Sequence, residues 1–267
     1  MVTDRLPPEK NCSFGISTRS QNSSIFTIIT VNRNRCHGLR ATLQSIQAQT
    51  YSKFELIVVD GHSTDESNAV IESFKEIITR VEKDKESGIY AAMNQGARLA
   101  TGEWVIFMNA GDVFFDSDVL AKAQNLLQGD LAYGRVWRVE QHAPVRHQLL
   151  ENLWKGNAFC HQALFTRTSW VKRFPFETCY EIIGDYHFYV VAMKNKAQFH
   201  ALDLDVAIIE AIGLADKYPL KLTLERYRVV KRYFPDQPIH LYYLARLIKI
   251  LIKKVFLRYS RNKNFLV

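Results

Sequence analysis

FELIVVDGHSTD, residues 54–65, is a run of apolar and β-branched residues that stops abruptly at Asp60-Gly61. A run of this kind reads as a buried strand emptying into a polar turn. IFTIITVNRNR, residues 25–35, has the same form, with an apolar run to Val31 followed by Asn32, Arg33, Asn34 and Arg35. Between the two runs Leu39, Leu43 and Ile46 recur at helical spacing, and helical periodicity returns over residues 65–78. A further helix is expected over residues 90–100, ended by Thr101-Gly102, and a strand over residues 104–108 that stops at Asn109-Ala110-Gly111-Asp112. Such alternation predicts an α/β fold: a Rossmann-like, mostly parallel central sheet flanked by helices. Ligands of these sheets sit beyond the carboxyl ends of the strands. The polar clusters around Arg33, Asp60 and Asp112 are therefore expected to share one crevice.

From Asp130 onward the pattern shifts to shorter strand-like pieces at 131–139, 163–167 and 199–204, with a helix expected at 185–194. This reads as the second half of the same domain, supplying the acceptor side. Beyond Tyr218 the chain is basic and helical, broken at Pro235 and Pro238 and resuming at Ile239. Over residues 217–267 thirteen Lys/Arg face two Asp/Glu, a net of +11 within a chain total of +8, which leaves −3 for residues 1–216. The basicity thus belongs to the last segment, and a uniformly basic nucleic-acid-binding domain is excluded. The division is a loose tail at 1–24, a catalytic domain at 25–216 and a basic amphipathic helical extension at 217–267. Cys12, Cys36, Cys160 and Cys179 form no C-x-x-C pair, which favours a reduced, cytoplasmic setting over a zinc site. The polar start carries no apolar core of signal-peptide length.

Several carboxylates stand where chemistry is possible. Asp60 and Asp65 can accept hydrogen bonds from a base or ribose, and turn or cap roles explain them equally well. Asp112, after a strand and a glycine, suits a divalent cation bridging two phosphates, since magnesium often takes only one or two carboxylates. Asp185 precedes an aromatic helical stretch and is the best general-base candidate of the second half, with a helix cap as its structural alternative. Trp154 and Tyr186 are candidates for stacking on a sugar ring, although core packing is the commoner use of such aromatics.

IFTIITVNRNR, QTYSKFELIVVDGHSTDES (49–67), SGIYAAMNQGARLATGEWVIFMNAGD (87–112), CHQALFTR (160–167) and GDYHFY (184–189) resemble, in the correct order, the motifs of bacterial family 2 glycosyltransferases of the colanic acid and O-antigen type. The resemblance spans residues 26–205. It implies a GT-A fold and an inverting single displacement, moving a sugar from a nucleotide-diphosphate donor, a UDP-sugar, to a saccharide or polyprenyl-diphosphate-linked acceptor in surface polysaccharide assembly. It puts Val31 and Arg33 at the nucleobase, Asp60 and Asp65 at uracil and ribose, and Glu86, Asn94 and Asn109 at other donor positions. Asp112 falls at the aspartate that holds Mg2+ or Mn2+, and Asp185 at the catalytic base. His161-Gln162 matches an HQ pair that contacts the diphosphate or the acceptor, with Trp154 on the acceptor side. Three positions depart from the pattern: Asn109 replaces a frequent Asp, Ala91 stands where relatives read IYDAMN, and Glu86 replaces Asp. Asn109 and Ala91 keep open an alternative, a nucleotide-sugar-binding protein without transfer activity.

In the extension, Arg246, Lys249, Lys253, Lys254, Arg258 and Arg261 interrupt an otherwise apolar helix. Charges this frequent exclude a membrane-spanning helix and suit an interfacial one on anionic lipid. Peripheral attachment to the inner face of the bacterial membrane follows as an expectation, with packing on the catalytic domain or in an oligomer as the alternative.

Overall fold

Strand β1 (Phe26–Asn32) begins the described part of the chain, which in this computed structural model comprises residues 25–86, 88–139, 143–145, 150–209 and 214–263. The tail expected at 1–24 lies outside it. β1 is apolar on both faces because both are covered. Phe26 and Ile28 pack with Leu39, Leu43 and Ile46 of helix α1 (Cys36–Gln47), while Ile29 belongs to a second core on the other face. Strand β2 (Phe54–Asp60) runs parallel to β1, with Asn32 opposite Asp60 at the shared carboxyl end. After helix α2 (Ser67–Ser73) comes strand β3 (Arg80–Lys83), parallel to β2. Helix α3 (Ile89–Leu99) then leads into strand β4 (Trp104–Phe107), parallel to β1 on its free side.

Beyond these strands follow β5 (Val113–Phe114), helix α4 (Val119–Leu126), β6 (Leu131–Arg138), β7 (Ala143–Pro144) and β8 (Leu164–Arg167). Helices α5 (Thr168–Arg173) and α6 (Gly184–Lys194) precede the long strand β9 (Phe199–Ile209). The chain ends in α7 (Leu214–Lys217), α8 (Pro219–Tyr233) and α9 (Ile239–Lys263). The strand order is β3-β2-β1-β4-β8-β6-β9-β5, with β7 on β6. The sheet is parallel from β3 to β4, but β8 is antiparallel to β4 and β6, and β5 to β9, while β6 and β9 are parallel. The result is a mixed sheet whose parallel part, β3 to β4, is the one expected from the strand and helix alternation of the sequence.

Other differences from the sequence reading are local. The helix expected at 65–78 is confined to α2, and Phe74 keeps its buried place from a following turn. Strand β9 runs on to Ile209. The extension divides in two. Leu222, Val229 and Val230 of α8, with Ile239 and Tyr243 of α9, belong to the same core as α3 and α6. The outer face of α9 exposes Leu241, Leu244, Ile248, Leu251 and Ile252.

The turn from α3 into β4 is pinned at the opposite edge of the sheet from the loops of interest. Thr101 N donates to Glu55 Oε2 at 2.8 Å and Gly102 N to Thr27 Oγ1 at 2.9 Å. A Cβ on Gly102 would stand 2.7 Å from the backbone carbon of Phe26 and the nitrogen of Thr27. Gly102→Ala should therefore destabilise the protein by about 2 kcal/mol through overpacking, read as a lower urea midpoint at unchanged m-value. An unchanged midpoint would contradict the packing described.

Candidate active site

Because β2, β1 and β4 are neighbours and parallel, the loops after them leave the same edge. Hydrogen bonds tie them together there. Gly61 N donates to Asn32 O at 2.7 Å, and Ala110 N to Val31 O at 3.0 Å. Val31 is thus held between the second and third loops. The exposed Arg33 lays its stem over Gly61, where a Cβ would come within 3.1 Å of Arg33 Cβ.

Asp60 is fully buried. Its Oδ1 accepts from Asn32 Nδ2 (2.9 Å) and Ser63 Oγ (2.6 Å), and its Oδ2 from Ser63 N (2.9 Å) and Lys83 Nζ (2.8 Å). A carboxylate has about four acceptor positions, and all are used within the protein. Asp60 therefore builds the wall of this loop, and Lys83 or Ser63 would have to give way before its carboxylate met a ligand. Burial works against its charge, but the bonds from Lys83, Ser63 and Asn32 outweigh burial and lower its pKa from the ordinary 3.8. Asp65 bridges two helix starts. Its Oδ1 accepts from Ser67 Oγ and N, and its Oδ2 from Cys36 N at 2.9 Å. The Ser67 hydroxyl, with the Cys36 and Ser67 amides, brings its pKa down to about 2, as expected for a carboxylate at helix N-termini.

The turn after β4 is held by Thr42 of α1, whose hydroxyl donates to Asp112 O (2.7 Å) and accepts from Gly111 N (3.0 Å). This fixes Asn109 and Asp112 on one reversal, made possible by Gly111 at φ 108°. Asp112 is largely buried, and Asn109 Oδ1 is buried without a hydrogen-bond partner. One carboxylate and one orphaned amide oxygen are hard donors suited to Mg2+ or Mn2+. Among the described residues no three His, Cys, Asp or Glu side chains converge as a complete cage, so the protein offers a partial set of the kind that phosphates and water complete.

From Asn109 a row of contacts crosses to the second half. Asn109 Nδ2 lies 3.1 Å from His161 Nε2, and His161 Nδ1 lies 3.4 Å from Asp185 Oδ2. Asp185 Oδ1 accepts from Tyr186 N (2.8 Å) and Tyr90 Oη (3.2 Å), and the same Tyr90 hydroxyl donates to Ile182 O (2.8 Å). In the neutral ring His161 takes the Asn109 proton at Nε2 and carries its own on Nδ1, toward Asp185. A second proton on the ring would require the Asn109 amide to turn over, so His161 protonation and the direction of the orphaned oxygen are linked. Burial disfavours both charges, but the mutual attraction wins: His161 is raised above 6.5, with help from Asp112, and Asp185 is lowered below 3.8.

The structure thus gathers Asn109, Asp112, His161 and Asp185 in one place, with Val31, Arg33, Asp60 and Asp65 forming the adjoining wall. Other candidates serve elsewhere. Asn94 spends its amide on the backbone of Phe176, donating to its carbonyl (2.8 Å) and accepting from its N–H (2.9 Å). Trp154 packs edge-on against Tyr242 at 5.3 Å. Tyr186 is fully buried, its hydroxyl on Leu153 O. Glu86 is exposed and its N–H donates to Asp84 Oδ1, while Gln162 is half-buried beside His161. Residues not anticipated are Thr42, Tyr90, Lys83 and Glu225. Glu225 of α8 accepts from Ile182 N (3.1 Å) and Glu181 N (3.3 Å), just ahead of Asp185.

A parallel half joined to a mixed second half, with a carboxylate turn after β4, is the arrangement of the GT-A fold. The description of glycosyl transferase family 2 matches residues 27–180, and the chain belongs to that family. It is 34% identical over 185 residues to a PGL/p-HBAD biosynthesis glycosyltransferase of Mycobacterium bovis, covering 65% of this chain and 71% of the relative. It is 23% identical over 263 residues to the Escherichia coli UDP-Glc:alpha-D-GlcNAc-diphosphoundecaprenol beta-1,3-glucosyltransferase WfgD, covering 90% and 98%. The fold matches the mannosyltransferase PcManGT of Pyrobaculum calidifontis, solved with GDP-Man and Mn2+, at a TM-score of 0.63 and 17% identity, covering 92% and 82%. The protein is accordingly a glycosyltransferase of family 2 with a GT-A fold.

The buried network at Asp60 has a pH signature. Its folded pKa is depressed, so its stabilisation is complete above about 3.8 and is lost as the pH falls below that value. Asp60→Asn should cost about 2 kcal/mol at neutral pH, the scale of hydrogen bonds to a charged group. Its urea stability should also decline less than the wild type's on acidification below 3.8. Parallel acid limbs would show that Asp60 is not held as described.

Proposed function

We propose that the protein is an inverting glycosyltransferase that moves a hexose or related sugar from a UDP-sugar to a polyprenyl-diphosphate-linked saccharide. The observation that carries this reading is the row Asn109–His161–Asp185 beside Asp112. It sets a candidate cation site and a candidate base next to each other at the carboxyl edge of the sheet. The UDP donor and the lipid-linked acceptor are suggested by the name of the E. coli relative, and the divalent ion by the PcManGT complex.

In this reading Val31 and Arg33 border the nucleobase, and the loop built on Asp60 and Asp65 shapes the wall behind base and ribose. Asp112 and the Asn109 oxygen would hold the cation, which when bound would supply positive charge against the departing nucleotide diphosphate. Asp185, ionised and fixed by Tyr90, the Tyr186 amide and His161, accepts the proton of the acceptor hydroxyl. The acceptor oxygen bonds to the anomeric carbon as the bond from that carbon to the diphosphate oxygen breaks, inverting the centre. A low base pKa suits a proton that is transferred late, when the hydroxyl has already become acidic. Asp112→Ala should abolish metal-stimulated release of UDP from the donor. Asp185→Asn should lower kcat by at least about 100-fold while binding UDP-sugar within twofold of wild type. Full turnover by the Asn variant would remove Asp185 from the reaction, and UDP-sugar binding without any turnover in the wild type would favour the non-transferring alternative.

The outer face of α9 supports attachment to the cytoplasmic side of the membrane. Leu241, Leu244, Ile248, Leu251 and Ile252 form an exposed apolar stripe, with Lys249 and Lys253 also exposed nearby. No helix among the described residues is long and apolar enough to cross a membrane, and a stripe edged by lysines suits an interface. Because Ile239 and Tyr243 belong to the core, the test replaces outer side chains and leaves the helix in place. The wild type should sediment with phosphatidylglycerol vesicles and the triple variant Leu244→Gln, Ile248→Gln, Leu251→Gln should stay in the supernatant at unchanged Tm. Equal sedimentation would defeat the attachment.

A further inference from the structure

Next to Glu225 on α8 stands a cation that the mechanism above does not use. Arg226 Nη2 donates to Asn157 Oδ1 at 2.8 Å, and its Cζ lies 5.5 Å from the ring of Tyr186, the neighbour of Asp185. Its Nε is buried with no hydrogen-bond partner. No carboxylate lies within ion-pairing distance of it among the described residues. One turn back on the same helix, Thr223 Oγ1 accepts from Arg246 Nε of α9 at 3.2 Å. The two guanidinium groups therefore face one region from the two helices of the hairpin. Burial is the larger cause of the lowered pKa of Arg226 and the charge of Arg246 the next.

A half-buried cation with a buried, unpartnered Nε costs free energy unless an anion meets it, and here the fold places a second cation near it, with no carboxylate within ion-pairing distance of either among the described residues. Such an arrangement is completed by an anion that arrives with a ligand. Its place indicates which one. Arg226 is held by the 154–157 turn and by α6, on the Asp185 side of the site, and its charge is felt at the Asp185 carboxylate. The diphosphate of the donor belongs with Asp112 and the loops after β1, β2 and β4. The apolar stripe of α9 lies on the hairpin that carries both arginines.

We propose that Arg226 and Arg246, with Asn157, form a subsite for the diphosphate of a lipid-linked acceptor, one sugar removed from the hydroxyl facing Asp185. The inference rests on the acceptor class proposed above and adds the residues that recognise it. An acceptor anchored in the bilayer would meet the hairpin with its chain along α9 and its diphosphate at the arginines, leaving its sugar to reach the base.

The test uses the full chain with saturating UDP and Mn2+, so that the donor site is filled, and titrates farnesyl diphosphate as the probe, with farnesol as the uncharged control. The wild type should bind the diphosphate at least tenfold more tightly than farnesol. Arg226→Gln and Arg246→Gln should each weaken diphosphate binding at least tenfold and leave UDP affinity within twofold. Arg246 sits on the other helix and bonds Thr223 through its Nε, so its variant keeps the test open if Arg226→Gln fails to fold. Variants that bind the probe like the wild type would overturn the subsite, and so would an equal loss of UDP affinity, which would assign the arginines to the donor. A wild type that fails to bind UDP would instead count against the UDP donor of the proposed function, so the two failures are separable.

Discussion

Strand β1 has a parallel partner on each side, and this constraint decides where everything else in the molecule can act. Three loops must leave one edge together, and the in-register pair Asn32 and Asp60 locks the first two. The third is fastened to Val31 and then to Thr42 of α1, so the turn that carries Asp112 has little freedom. In the proposed reaction the second half of the molecule needs only to bring one proton acceptor to that edge. It does so with His161 as the bridge and Asp185 at the start of α6, clamped by Tyr90 from α3.

Much of this was legible along the chain. The runs ending at Asn32, Asp60 and Asn109 announced themselves by apolar residues giving way to polar ones, and so did the sheet edge they share. β3 escaped notice because Arg80, Val81, Glu82 and Lys83 show no apolar run: the strand pairs on one side with β2 and is largely exposed. β5 and β7 are two residues each, too short for any period to show. Side-chain duties were harder to read than backbone. Asp60 and Asn94 carry the residue types of ligand contacts, yet four internal bonds saturate the one and the Phe176 backbone occupies the other. Nothing in local sequence distinguishes those uses, since Lys83 and Phe176 reach them only through the fold.

The basic C-terminal segment illustrates the same limit differently. Its charge count pointed outward, to a surface, and the exposed stripe of α9 agrees with that direction. But α8 and the start of α9 also point inward. Glu225 fastens the backbone at residues 181–182, Tyr243 donates to Trp154 O at 3.1 Å, and Arg226 lies against Tyr186. A helix that reads as an appendage is thus part of the frame around Asp185, and whatever α9 rests on is mechanically close to the reacting groups.

The claim on which the account turns is that Asp112 and Asp185 face a single donor pocket across His161. The most direct measurement is the anomalous diffraction of manganese in a crystal grown with UDP and Mn2+. A peak is expected at the Asp112 carboxylate, with the Asn109 oxygen turned toward it and Asp185 bordering the same cavity. A nucleotide bound with its manganese at the Asp60–Asp65 loop, or with Asp185 walled off from it, would contradict the account.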